Sequence, residues 1–213
     1  MDWFAQIDAY CERTDFTYWS EPVNAITNAA FIIAAMIMWR RVGPLVGAKI
    51  LCVLLFAIGV GSFLFHTHAT AWAATADVVP IALYILTYLF LVNRDVMGWP
   101  WWAALLGTLG FFPYAAGIIL VLNDIPFFQI SNAYWAVPLL LLLYAPAVPR
   151  QTARGFIIGA TTLSVSITLR SLDETLCARW PVGTHFNWHI LNGIMLGWMI
   201  EVYRRHMVEA RPR

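Results

Sequence analysis

Lysine occurs once, at Lys49, and charged residues of all kinds make up only 12% of the 213 positions. With no basic run anywhere, the chain lacks the electrostatic footprint that nucleic-acid binding requires, and that class is excluded. Because the last apolar segment contains no lysine, and Lys49 lies at a cytoplasmic boundary, a retinal Schiff base is disfavoured. The opening, MDWFAQIDAYCERTD, carries acids where a secretory leader has a basic region followed by an apolar stretch, so this segment is expected to persist. Internal repeats, low-complexity stretches and long linkers are missing, which leaves a single domain over residues 1–213. Charges near the middle of apolar runs, which would mark a transporter, are scarce.

What is abundant is apolar surface. Hydrophobic residues form 61% of the chain and the mean hydropathy is +0.68, so the lipid bilayer is the expected solvent. A spanning helix needs about 20 apolar residues. Apolar runs at 23–41, 49–67, 73–92, 99–121, 133–148, 155–171 and 183–203 predict an all-α membrane protein, a bundle of seven transmembrane helices. Residues 1–22 form an acidic outer segment and 204–213 a tail. Pro113, Pro138, Pro146 and Pro149 predict kinks in spans four and five, whereas Pro80 is expected in the first turns of span three, where a missing N–H costs least. Basic residues collect in short cytoplasmic loops. An outer N-terminus puts Arg40, Arg41, Lys49, Arg94, Arg150, Arg154, Arg204, Arg205, Arg211 and Arg213 inside, ten of thirteen. That predicts N-out, C-in topology, with the tryptophans and tyrosines near span ends as interfacial belts.

Several polar residues fall at membrane depth, where they are costly and need partners. Span two ends in GSFLFHTH, and Ser62 and His66 lie four apart on one helical face. Span three brings Asp77, and span seven opens THFNWHILNG, with His185 and His189 again at i, i+4. In the N-out topology these histidines meet at the same outer depth. Three neutral imidazoles suit zinc and leave a fourth position for water, the pattern of catalytic sites. Asp77 would then take that water's proton and Ser62 would steady an oxyanion. The alternative is three interfacial histidines that only satisfy headgroup hydrogen bonds. His68 should face away from the site, and His206 lies on the cytoplasmic side.

Asp8, Glu12, Asp15 and Glu21 crowd the outer N-terminal segment. Oxygen ligands at irregular spacing suit calcium, although the alternation and central glycine of an EF-hand are missing; the competing reading is a solvated acidic face. Cys11 and Cys177 both fall on the outer side, where oxidation is permitted, and Cys52 lies within span two.

Five motifs in order, YCE at 10–12, EPVNAITN at 21–28, GSFLFH at 61–66 with Asp77 eleven residues beyond, LDETLC at 172–177 and HFNWH at 185–189, resemble the alkaline ceramidase family. This family lies within the seven-helix membrane hydrolases that include the progestin and adiponectin receptors. The resemblance implies a zinc amidase that cleaves ceramide to a sphingoid base and a fatty acid. His66, His185 and His189 would hold Zn2+, Asp77 would activate water and Ser62 would assist at the carbonyl. It also implies a Ca2+ site on Glu12, Glu21 and the Tyr10 carbonyl, with Asp8 and either Asp15 or Thr14, and a Cys11–Cys177 disulfide. The short loops look like those of bacterial members, implying an inner membrane with the site toward the periplasm. The expected partners are the membrane and a lipid substrate drawn from it, with no obligate protein partner. The competing functions are hydrolysis of another acyl lipid, ester or N-acyl, and a lipid receptor with structural zinc.

Overall fold

A computed structural model describes residues 2–209. Arg211 and Arg213, counted above among the inner positive charges, and the end of the tail lie outside the described residues. All extended regular structure among the described residues is helical. In chain order the helices are α1 (Pro22–Thr27), α2 (Ala29–Arg41), α3 (Val46–His68), α4 (Ala71–Leu91), α5 (Trp101–Leu109), α6 (Phe111–Asn123), α7 (Pro126–Gln129), α8 (Asn132–Tyr144), α9 (Arg150–Ser171), α10 (Asp173–Leu176) and α11 (Phe186–Glu209).

Among the described residues, five helical stretches are long and apolar enough to cross a membrane: Pro22–Arg41, Val46–His68, Ala71–Val96, Trp101–Asn123 and Arg150–Ser171. Their outward faces carry exposed Ile, Leu, Val and Phe side chains, which water would not tolerate in such numbers. The Asn132–Ala147 stretch is apolar but shorter, while α11 is long but carries histidines, asparagines, Glu201, Arg204 and Arg205. The chain is an all-helical, multi-pass integral membrane protein.

One proline expectation needs correction. Pro80 sits inside α4, about midway along Ala71–Leu91, not in its first turns, because the helix starts immediately after the α3 turn. It therefore cannot bond the Ala76 carbonyl. Gly61 of α3 packs directly on that carbonyl, and a Cβ at Gly61 would overlap it. Pro113 marks the expected interruption of span four: α5 ends at Leu109 and α6 begins at Phe111, since Pro113 cannot bond the Leu109 carbonyl, while Gly110 between them keeps helical backbone angles, φ −59° and ψ −17°, and its carbonyl still accepts from Tyr114 at 3.2 Å.

The α3–α4 turn is tight. Ala69 closes α3 in the left-handed region, φ 47°, with its N–H on the Phe65 carbonyl at 2.9 Å. The N-terminal segment runs beside this turn, donating from Ile7 to the Ala69 carbonyl and accepting at Ala5 from Ala71. Cys11 and Cys177 are joined by a disulfide, so the same segment is tied to the loop before α11.

Candidate metal centre

The C-terminal end of α3 and the start of α11 meet at one end of the bundle, beneath the N-terminal segment. His66, His185 and His189 are 1%, 2% and 0% exposed, and one ring nitrogen from each lies within 4.8 Å of the others. The rings approach edge-on and tilted, with centroids 4.7 Å apart for His66–His189 and His185–His189 and 5.2 Å for His66–His185. Tyr10 stacks on His185 at 3.6 Å.

The hydrogen bonds fix which nitrogen of two rings is free. His66 Nδ1 lies 2.6 Å from Glu21 Oε2; a carboxylate accepts, so Nδ1 carries the proton. His189 Nδ1 lies 2.9 Å from Thr27 Oγ1. The Thr27 hydroxyl proton is already directed to the Val23 carbonyl at 2.8 Å, so the hydroxyl oxygen accepts from Nδ1–H. His66 Nε2, His189 Nε2 and His185 Nδ1 are then left buried with no partner. Three orphaned basic nitrogens in one buried place are costly, and a metal ion relieves all three. The donor set is neutral nitrogen and converging, which fits zinc. Glu21 and Thr27 serve as the outer partners that orient such ligands. Replacing Thr27 with Val is therefore expected to weaken zinc binding about 10–100-fold, measured by competition with a chromogenic chelator; unchanged affinity would remove Thr27 from this role.

Ser62 is buried one turn before His66. Its hydroxyl lies against the Asp77 carboxyl, with His66 and Arg170 within electrostatic reach of that carboxyl. The spacing-based set of Ser62, His66, Asp77, His185 and His189 thus comes together in one place. His68 is exposed and packs on Tyr18 and Trp72, and His206 lies beside Thr152, at the other end of α11.

The calcium set does not assemble. Asp8 is exposed. Both Glu12 oxygens accept backbone N–H groups at the start of α1, from Val23 at 2.7 Å and Asn24 at 2.8 Å. Asp15 accepts from the Thr17 N–H and hydroxyl, Thr14 is exposed with its N–H on Ser20, and the Tyr10 carbonyl accepts from the Arg13 N–H at 3.2 Å. Glu21 is paired with Arg13 at 2.5 Å and also accepts from Asn24 Nδ2. Burial opposes the charged form of Glu21, but His66, Arg13 and Asn24 outweigh it and hold its carboxyl below the usual carboxylate range. Among the described residues, His66, His185 and His189 form the one group of three or more His, Cys, Asp or Glu side chains whose ligand atoms converge.

Reading the residues in order also missed the supports. Asp173 is 2% exposed and accepts three backbone N–H groups, from Cys11 at 2.9 Å, Thr184 at 2.6 Å and His185 at 2.8 Å. It joins the N-terminal segment to His185, the residue immediately before α11, where Gly183 at φ 67° leaves no room for a side chain. Arg170 spans Tyr10, Tyr134 and Trp188 with its guanidinium 5.1–5.9 Å from their ring centres.

Apolar space leads away from the centre. One cavity is lined by Phe31, Trp188 and Asn192, and it adjoins another reaching Met199, with Tyr84, Ile85, Val137, Met195 and Leu196 shared. A protein-family model described as Ceramidase matches residues 5–211. Among curated proteins none matches the chain.

Proposed function

The chain belongs to the ceramidase family, and from that premise we propose that it is a zinc-dependent membrane amidase hydrolysing the N-acyl bond of ceramide to a sphingoid base and a free fatty acid. The observation that carries this reading is the set of three buried, unpartnered imidazole nitrogens beside a carboxyl–hydroxyl pair, Asp77 and Ser62. His66, His185 and His189 would hold the ion, which when bound supplies Lewis acidity and lowers the pKa of a water to about 7.

The remaining chemistry falls to the chain's own groups. Asp77 accepts the proton of the attacking water and returns it to the departing amine nitrogen, so the amide C–N bond breaks without releasing a free amide anion. Ser62 donates to the carbonyl oxygen as negative charge develops there. The acyl chain lies in the space between α4, α8 and α11, whose mostly aliphatic and aromatic walls order the substrate chiefly by burial.

We take the whole chain as one domain of seven spans, N-terminus outside and C-terminus cytoplasmic, in a bacterial inner membrane with the site facing the periplasm. In support, Arg41, Arg204 and Arg205 gather on Glu201 at the opposite end of the bundle from the histidines. Substrate would enter from the bilayer.

The test is fatty-acid release by detergent-purified protein from ceramide and from an ester lipid of equal chain length. Preferential release from ceramide supports the proposal. Ester cleavage alone would reassign the substrate, and bound zinc with no release from either lipid would favour a receptor. The groove makes a separate prediction. Leu196→Trp should fill the shared stretch of the two cavities and deny room to about four methylenes; at about 0.8 kcal/mol each, the long-to-short chain preference in kcat/KM should fall roughly 200-fold. An unchanged chain-length profile would move the acyl chain elsewhere.

A further inference from the structure

Arg13 lies at the centre of the acidic segment, yet its side chain is 1% exposed. Its guanidinium spends its three nitrogens on three different acceptors: Nε on Glu21 Oε1 at 2.5 Å, Nη1 on the Asp15 carbonyl at 2.9 Å and Nη2 on the His66 carbonyl at 3.0 Å. Glu21 in turn holds His66 Nδ1 at 2.6 Å. A buried carboxylate facing a metal ligand needs a compensating positive charge, and here the chain itself provides one.

The oxygen inventory around it leaves no second cation to bind. Calcium takes 6–8 oxygens at about 2.3–2.6 Å. The Glu12 carboxylate is used by α1, Asp15 by Thr17 and Glu21 by Arg13, Asn24 and His66. The Asp15 and His66 carbonyls, further oxygens of the kind a hard ion uses, already accept from Arg13.

We propose that Arg13 is a positioning residue that serves as a built-in cation, neutralising Glu21 and clipping the N-terminal segment to the last turn of α3, so that the zinc centre is calcium-independent. The inference rests on the zinc reading above but not on the identity of the substrate. The geometry of a planar fork matters as much as the charge, because one point charge cannot reach an oxygen on each of three separate segments.

The experiment uses full-length purified protein and reads metal content, zinc retention against a competing chelator and Tm, each with EGTA and with millimolar calcium. For the wild type, no bound calcium is expected, and zinc retention and Tm should be the same in both buffers. Arg13→Gln should lower zinc affinity about 10–100-fold, and Arg13→Lys should recover only part of it. Asn93, just past the far end of α4, is fully buried and accepts from the Tyr144 hydroxyl at 2.9 Å, so Asn93→Ala should lower Tm without altering zinc affinity. About one calcium bound per wild-type chain, a calcium-dependent rise in wild-type Tm or zinc retention, or wild-type zinc affinity in Arg13→Gln would each overturn the proposal. If Arg13→Gln does not fold, the wild-type measurements still decide it. Loss of all lipid hydrolysis in a calcium-insensitive zinc protein would count against the amidase and leave this inference standing.

Discussion

Asp77→Asn is expected to lower fatty-acid release from ceramide by about 10²–10⁴-fold while the purified protein keeps about one zinc per chain. The separation follows from the geometry. Asp77 is not among the residues whose donor atoms converge; its carboxyl lies against Ser62, beside the imidazole cluster. Asparagine preserves the volume and one oxygen but cannot accept a proton at neutral pH. His189→Ala should behave differently, losing zinc and turnover together, because only two of the three orphaned nitrogens remain. Metal analysis of both variants beside a single-turnover assay gives a two-by-two outcome. Full turnover in Asp77→Asn would exclude it as the base, and zinc retained in His189→Ala would exclude that ring as a ligand.

Most of this centre could be read from spacing. HFNWH and the Ser62–His66 step each put two polar groups on one helical face, and the placement of arginines set the ends of the helices that face one another. The supports could not be read that way. Thr27 sits in an apolar run, and its role depends on an imidazole 162 residues away. Arg13 among four acids resembles one more charge on a wet surface, and its burial arises from the turn that follows α3. Asp173 lies in a loop with Glu174 beside it, and only the fold makes one of the two a buried acceptor and leaves the other exposed. The apolar run at 183–203 located α11 even though that helix carries His189 and the Glu201 cluster on one rod, and its polar residues hid only how far it continues, to Glu209. Pro80 was misplaced although the start of its helix was nearly right, because a hydropathy pattern does not show that a close glycine contact from α3 tolerates a proline in the helix interior.

Removing the Asp173 carboxyl should have the largest effect on stability. Asp173→Ala would strand the N–H groups of Cys11, Thr184 and His185 in a place that is 2% exposed. A hydrogen bond to a charged group contributes about 1.5–3 kcal/mol, and an unsatisfied buried donor costs about 1–3 kcal/mol; allowing for non-additivity, a loss of about 4 kcal/mol is expected. Asn is a poor substitute, because its amide would turn a donor toward either the Cys11 N–H or the pair from Thr184 and His185. Gly183→Ala should reproduce much of the loss from the other side, since its methyl group would overlap Asp173 Oδ1 in a left-handed backbone conformation. Thermal unfolding and the rate at which the Cys11–Cys177 bond is reduced are the measurements. Both variants should unfold at lower temperature and expose the disulfide sooner. Wild-type behaviour in Asp173→Ala would mean that water replaces the carboxylate at no cost.

The contact of Gly61 with the unbonded Ala76 carbonyl bears on the order in which the protein is assembled. It locks α3 to α4 at the level of Ser62, His66 and Asp77, residues separated by no more than fifteen positions. These three can reach their mutual arrangement within one helical hairpin, soon after its second helix has been synthesised. His185 and His189 arrive more than a hundred residues later. The hairpin therefore forms a preset half of the centre that waits for its complement, and high-affinity zinc capture becomes a property of the finished chain alone. A protein arrested before its last helix would keep the acid, the hydroxyl and one imidazole in register, yet hold no metal tightly.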